Sequence, residues 1–165
     1  MRASRTTQNF QASAPDLAAA MEGFLFGIPA IAFSQAEKGW GELEAAAAAA
    51  RAVIDQVLAG GPPSGPWLLN VNIPNRAYEE LKSYKVCRLG RRHAAEKVIS
   101  QTSPRGEVMY WIGGAGLPKD DAEGTDFHAS LQGHPTITPL KVDLTDHDAL
   151  RYWGQAAAKL GQGAA

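Results

Sequence analysis

Apolar positions recur along the chain in two periods, and these periods sort it into elements. DLAAAMEGFLFG, Asp16 to Gly27, sets helix-favouring alanines between an aspartate that can cap and a glycine that can end the helix. IPAIAFS, closed by Ser34, is a short apolar run. Its length and its place between helices predict a buried, parallel strand. Trp40 to Leu58 has high helix propensity, with Val53, Ile54, Val57 and Leu58 as an apolar stripe. Its alanine run reads as packing, because small side chains let a helix approach a sheet. GGPPSGP stops this helix, with Gly60 expected just past its end. WLLNVNIP is a second buried strand, in which Leu69, Val71 and Ile73 alternate with Asn70 and Asn72.

The order helix, strand, helix, strand is half of a doubly wound α/β fold. A complete one begins on a strand and carries more βα units. Two parallel strands alone bury too little. The sheet is therefore expected to lack strands, leaving an edge and one side of the Ala-rich helix uncovered, with poor solubility or reliance on a partner.

After Pro74 the pattern changes. YEELK predicts a helical turn, and Tyr84 to Leu89 alternates as a strand. Lys97 to Gln101 and Glu107 to Ile112 read as strands joined by TSPRG, whose Pro104 and Gly106 suit a turn. The second strand of this hairpin arm carries Val108, Tyr110 and Ile112 on one face, with Met109 and Trp111 on the other. A lone hairpin cannot use two apolar faces in water. Either the body of the protein or another chain covers one, and a subunit contact is favoured because Trp, Tyr and Met are enriched at interfaces. Leu117 to Glu123 reads as a polar loop. Thr136, Thr138 and Leu140 alternate with Ile137 and Pro139 as a strand, and Pro139, which cannot donate to a ladder, places it at an edge or ends it. Asp143 and Thr145 offer caps for a helix carrying Leu150 and Trp153.

Composition removes several classes. A net charge of -1 leaves no basic footprint for nucleic acid. No apolar run reaches the ~20 residues that span a bilayer. One cysteine, Cys87, rules out an internal disulfide; it lies in the YKVCRL strand and reads as a small buried hydrophobe. The head, MRASRTTQNFQASAPDL, has two arginines and no acid before Asp16, a weak likeness to a transit peptide. An unordered head and a cytoplasmic protein are the simpler expectation.

Candidate chemistry is thin. Asn70 or Asn72 could point from a strand's carboxyl end, where open α/β sheets bind ligands, or could bond neighbouring loops. Arg91, Arg92 and His93 could bind an anion, since Arg forks suit phosphate, or could be a solvated turn paired with Glu96. Asp120, Asp121, Glu123 and Asp126 could hold a hard cation, but their spacing matches no calcium loop. His93, His128, His134 and His147 form no HExxH pair, GGAG at 113–116 lacks a phosphate loop's lysine, and no GxGxxG or GxSxG occurs. No active site can be assembled from these residues.

In order, AAAMEGFLFGIPAIAFS, LLNVNIP, YEELK, VCRLGRRH, PRGEVMYWIGG, GTDFHASLQGHPTITPL and VDLT resemble the SurE family of 5′/3′-nucleotidases, over about Ala18 to Thr145. The resemblance implies a Rossmann-like, three-layer α/β/α core with an extended β-hairpin arm and a swapped C-terminal element. It implies dimers and tetramers, nucleoside monophosphates as substrates, and a divalent metal, Mg or Mn. On this basis residues 16–74 are the remaining part of the core and 75–116 a strand and the arm. Residues 117–165 are a loop, the last strand and a C-terminal helix, and 1–15 a divergent head.

The same comparison exposes a gap. The family holds its metal with paired aspartates after the first strand, a further serine, and an asparagine in an SGIN-like segment. None has a counterpart here. Where the family has a YSGT-like run, this chain reads Ser13, Ala14, Pro15 and Asp16. The head is expected to be a replaced or frame-shifted start, or a gene-model error. No catalytic or metal-binding residue is carried over, and no bound metal is expected. The expectation is a nucleotidase fragment inactive alone. The alternative is a non-enzymatic module that pairs with a second copy or a full-length relative. Its contacts would be Val108, Met109, Tyr110, Trp111 and Ile112 of the arm, together with the C-terminal helix.

Overall fold

The computed structural model describes residues 14–36, 41–61, 63–92, 98–111 and 118–160. Trp40, His93, Glu96, Ile112 and the GGAG run lie outside them, as do residues 1–13.

Helix α1 spans Ala14–Leu25 and starts earlier than its expected cap. Asp16 lies in its first turn, where a carboxylate complements the helix dipole. Gly27 ends it at φ +80°, its N–H donating to Phe24 O at 2.9 Å. Strand β1, Ala30–Ala36, runs two residues past Ser34, and its outer edge is open among the described residues. Helix α2, Leu43–Gly60, includes Gly60; Gly61 at φ +69° follows it. Its buried row is Ala45, Ala49 and Val53, at a spacing of four. Ile54 and Leu58, one position further round the helix, are exposed, so the expected apolar stripe is only partly used. The alanines meet the sheet as packing required.

Strand β2, Leu68–Pro74, pairs in parallel with β1, Ala30 opposite Leu68 and Ala36 opposite Pro74. Tyr78–Glu80 forms a 3₁₀ turn, matching YEELK. Strand β3 is only Lys85–Val86, shorter than the alternation from Tyr84 to Leu89 indicates. A bridge from Arg88 to Thr125 continues its path. Strand β4 (Arg91–Arg92) pairs with β7 (Pro118–Asp120), so the expected polar loop contains a strand. Strands β5 (Ile99–Thr102) and β6 (Val108–Trp111) form the arm, turned at Gly106 with φ +83°. Helix α3 is Asp126–Leu131, strand β8 Thr136–Leu140 and helix α4 Leu150–Leu160.

The main sheet runs β1-β2-β8-β3. Strand β8 is thus interior, not at an edge. Backbone geometry reconciles this with Pro139. The carbonyls of Pro135 and Ile137 accept from Lys85 N and Cys87 N, on the β3 side. By the two-residue period Pro139 faces that side too, beyond the end of β3, where no described strand asks for its N–H.

One face of the sheet packs Ile31, Phe33, Val71, Ile73 and Ile137 against Ala49 and Val53 of α2. The other face carries Ser34, Asn70, Asn72, Thr136 and Thr138, all buried. Helix α4 begins later than expected. Asp146 Oδ1 accepts from Ala149 N at 3.0 Å, while Asp143 Oδ1 takes Thr145 N at 2.9 Å. Asp146, rather than Asp143 or Thr145, satisfies the turn leading into the helix.

Candidate functional site

The polar face of the sheet is the most distinctive chemistry in the molecule. Ser34, Asn72 and Thr136 lie in one row across β1, β2 and β8, and Asn70 pairs with Thr138 in the next. Helix α3 brings Asp126 and Ser130 to this layer, both buried. Thr125 caps α3 by accepting from His128 N at 3.2 Å. Asp126 Oδ1 accepts from Gly90 N at 2.7 Å and Phe127 N at 2.9 Å, and Oδ2 from Asn72 Nδ2 at 3.3 Å. Asn72 therefore bonds within the fold. Asn72 Oδ1, Ser130 Oγ, Thr136 Oγ1 and Thr138 Oγ1 have no hydrogen-bond partner among the described residues.

At the carboxyl ends of β1 and β2, Asn75 Oδ1 accepts from Gln35 Nε2 at 3.0 Å and from Glu42 N at 3.1 Å. Glu42 makes no side-chain cap of its own for α2, so Asn75 supplies one from the neighbouring strand end. Sequence reasoning passed over Gln35 and Asn75. Their position just after parallel strands was the available signal.

The acidic cluster divides. Asp120 binds Arg88 through two contacts, 2.6 Å to Nη1 and 3.3 Å to Nη2. That hydrogen bond pulls the Asp120 carboxyl below its ordinary value and raises the Arg88 guanidinium. Asp126 is committed to three N–H donors. Among the described residues no group of three or more His, Cys, Asp or Glu could hold a metal ion. The described carboxylates are thus not grouped as a divalent cation needs. Cys87 is buried, and burial pushes its thiol up, away from the thiolate a nucleophile needs.

Arg91 stands exposed in β4, opposite Asp120 in register; the Arg92 side chain lies outside the described residues. His134 Nδ1 meets Ser83 O at 2.7 Å, His128 contacts Gln132, and His147 contacts Asp143, so these three histidines are not brought together. Val108, Met109, Tyr110 and Trp111 are all exposed, and no described part of the body covers either face of the arm. No described helix is long and apolar enough to cross a membrane.

Comparison with known proteins agrees with this architecture. The family described as Survival protein SurE matches residues 5–96. This chain belongs to the SurE family. The match opens at residue 5, well before the expected boundary near Ala18, so the head is not wholly foreign to the family. The 5′-nucleotidase SurE of Albidiferax ferrireducens is 65% identical over 146 residues, 86% of this chain and 56% of that protein. That of Polaromonas naphthalenivorans is 63% identical over 150 residues, 86% of this chain and 58% of that protein. A crystal structure of the SurE protein from Aquifex aeolicus is 37% identical with TM-score 0.68, covering 87% of this chain and 59% of that one. The fold is α/β and Rossmann-like. The chain spans well under two thirds of the length of these relatives.

Proposed function

We propose that this chain carries part of a divalent-metal-dependent 5′/3′-nucleotidase and releases no phosphate by itself. The observation behind the reading is a contrast. Identity of 60–65% to proteins named 5′-nucleotidase SurE argues for the nucleoside monophosphate chemistry of that family. Yet two of the acids weighed as cation ligands are spent elsewhere, Asp120 on Arg88 and Asp126 on backbone and Asn72 N–H groups. A metal in such a phosphatase neutralises phosphate charge and activates water. Among the described residues no group of His, Cys, Asp or Glu is placed to fix Mg or Mn. A cytoplasmic setting accompanies this reading.

Phosphate release from AMP with Mn²⁺ or Mg²⁺ tests it. Release at the no-protein rate is expected. Metal-dependent turnover by the purified chain would overturn the claim of inactivity.

A second reading rests on the exposed arm. Val108 to Trp111, with Ile112 beyond the described residues, and the exposed Tyr152 and Trp153 of α4 favour an oligomerisation module. Its partner is a second copy or a full-length relative. Arg91 and Arg92 remain a proposed anion site; phosphate titration of wild type and Arg91→Ala, with equal and absent binding, would remove it.

A further inference from the structure

The polar layer between α3 and the main sheet has more hydrogen-bonding capacity than the described residues use. Asn72, Ser130, Thr136 and Thr138 are each at most 2% exposed. Asn72 and Thr136 face each other across β2 and β8, and Thr138 follows two positions along β8 on the same face. Ser130 stands one turn after Asp126 on α3, and both are buried in this layer. Asn72 Nδ2 is engaged with Asp126 Oδ2. Asn72 Oδ1, Ser130 Oγ, Thr136 Oγ1 and Thr138 Oγ1 meet no partner among the described residues. Buried polar atoms of folded proteins are satisfied in the large majority, by protein or by ordered water. Four of them in one layer, drawn from three elements, mark a site.

We propose that this layer is an internal water site. The chemistry of the four atoms selects the ligand. Asn72 Oδ1 only accepts, whereas each hydroxyl both donates and accepts. A ligand that closes all four must therefore donate as well as accept. A cation cannot take the hydroxyl protons, and a simple anion cannot give a proton to Asn72 Oδ1. The four atoms are closed to solvent in the folded chain, which favours the smallest ligand with both abilities. Thr136 and Thr138 lie about 7 Å apart along the strand, more than one water bridges at ~2.8 Å on each side, so two linked waters are expected. They join Ser130 of α3 to Asn72 of β2 and to Thr136 and Thr138 of β8.

Oxygen-17 magnetic relaxation dispersion of the purified chain tests this. Wild type is expected to hold long-lived water. Thr138→Val, which keeps the side chain's shape and removes its hydroxyl, is expected to lose the signal of about one water. Urea unfolding gives a second readout. A hydroxyl bonded to water stabilises the fold, so Thr136→Val and Thr138→Val should each raise the unfolding constant about five- to tenfold. A buried hydroxyl with no partner is instead a burden that valine removes, and the variants would then be as stable as wild type or more so. That result would overturn the proposal. So would a wild-type chain without long-lived water, or a dispersion signal that Thr138→Val and Ser130→Ala both leave unchanged. A tenfold change in the wild-type unfolding constant on exchanging Na⁺, K⁺ and choline at one ionic strength would overturn it too, since a cation would then fill the layer.

Discussion

The side-chain amide of Asn72 donates to the buried carboxyl of Asp126 at 3.3 Å, joining β2 to α3 across 54 positions of sequence. Asp126 also holds Gly90 N at 2.7 Å, so one side chain ties the sheet, α3 and the turn before β4. Replacing Asp126 with Ala leaves three N–H donors without their acceptor in a buried place. The expected cost is about 3 kcal/mol or more. Urea unfolding should show a lower midpoint at unchanged slope; a shift within error of zero would mean that the three bonds hold nothing.

Gly90 faces a second constraint. A Cβ there would press into the Phe127 ring and lie 2.6 Å from Asp120 O. The ring can move, but the carbonyl belongs to β7. Gly90→Ala should therefore destabilise by about 2 kcal/mol. Adding Phe127→Leu should recover only part of that loss. Full recovery in thermal melts would place the whole conflict on the ring.

How much of this was legible follows from the range of each interaction. The α1, β1, α2 and β2 series could be read because its periods are local. Gly27 was correctly placed as the end of α1, since a positive φ is a property of one residue. Strand β8 was misplaced because Pro139 was judged without knowing how short β3 is. Ile54 and Leu58 looked like core because periodicity gives a face, not its width. Asp126 could be weighed as a cation ligand only because its partners, Gly90 and Asn72, are 36 and 54 positions away and cannot be read from local spacing. The Asn75 cap was missed for the same reason: Gln35 lies 40 positions from it and Glu42 33.

Asp143 offers a pH test before α4. Its hydrogen bond to His147, at 2.7 Å, and then the Thr145 amide pull its carboxyl down from 3.8 to about 2. A carboxyl depressed on folding stabilises the folded state above its ordinary value and loses that contribution as pH falls toward 2. Carboxyl-carbon NMR should give a midpoint near 2. His147→Ala should raise that midpoint toward the ordinary value, with Thr145 preserving part of the shift. An unchanged midpoint in the variant would assign the shift to Thr145 alone.

The arm supplies the last prediction. Tyr110 is 69% exposed and Trp111 56%, on opposite faces of β6. A two-stranded hairpin is marginal in water, so neither face is explained by the arm's own stability. Aromatic residues are enriched where chains meet. The chain should therefore self-associate at micromolar concentration, and light scattering should report more than one copy. Tyr110→Ser with Trp111→Ser should shift it toward monomer without lowering the melting temperature of the main sheet, because both side chains are exposed and the arm forms a sheet separate from the main one. If association instead survives this pair, the arm does not hold the copies together. A clean monomer for wild type would remove the oligomerisation reading altogether.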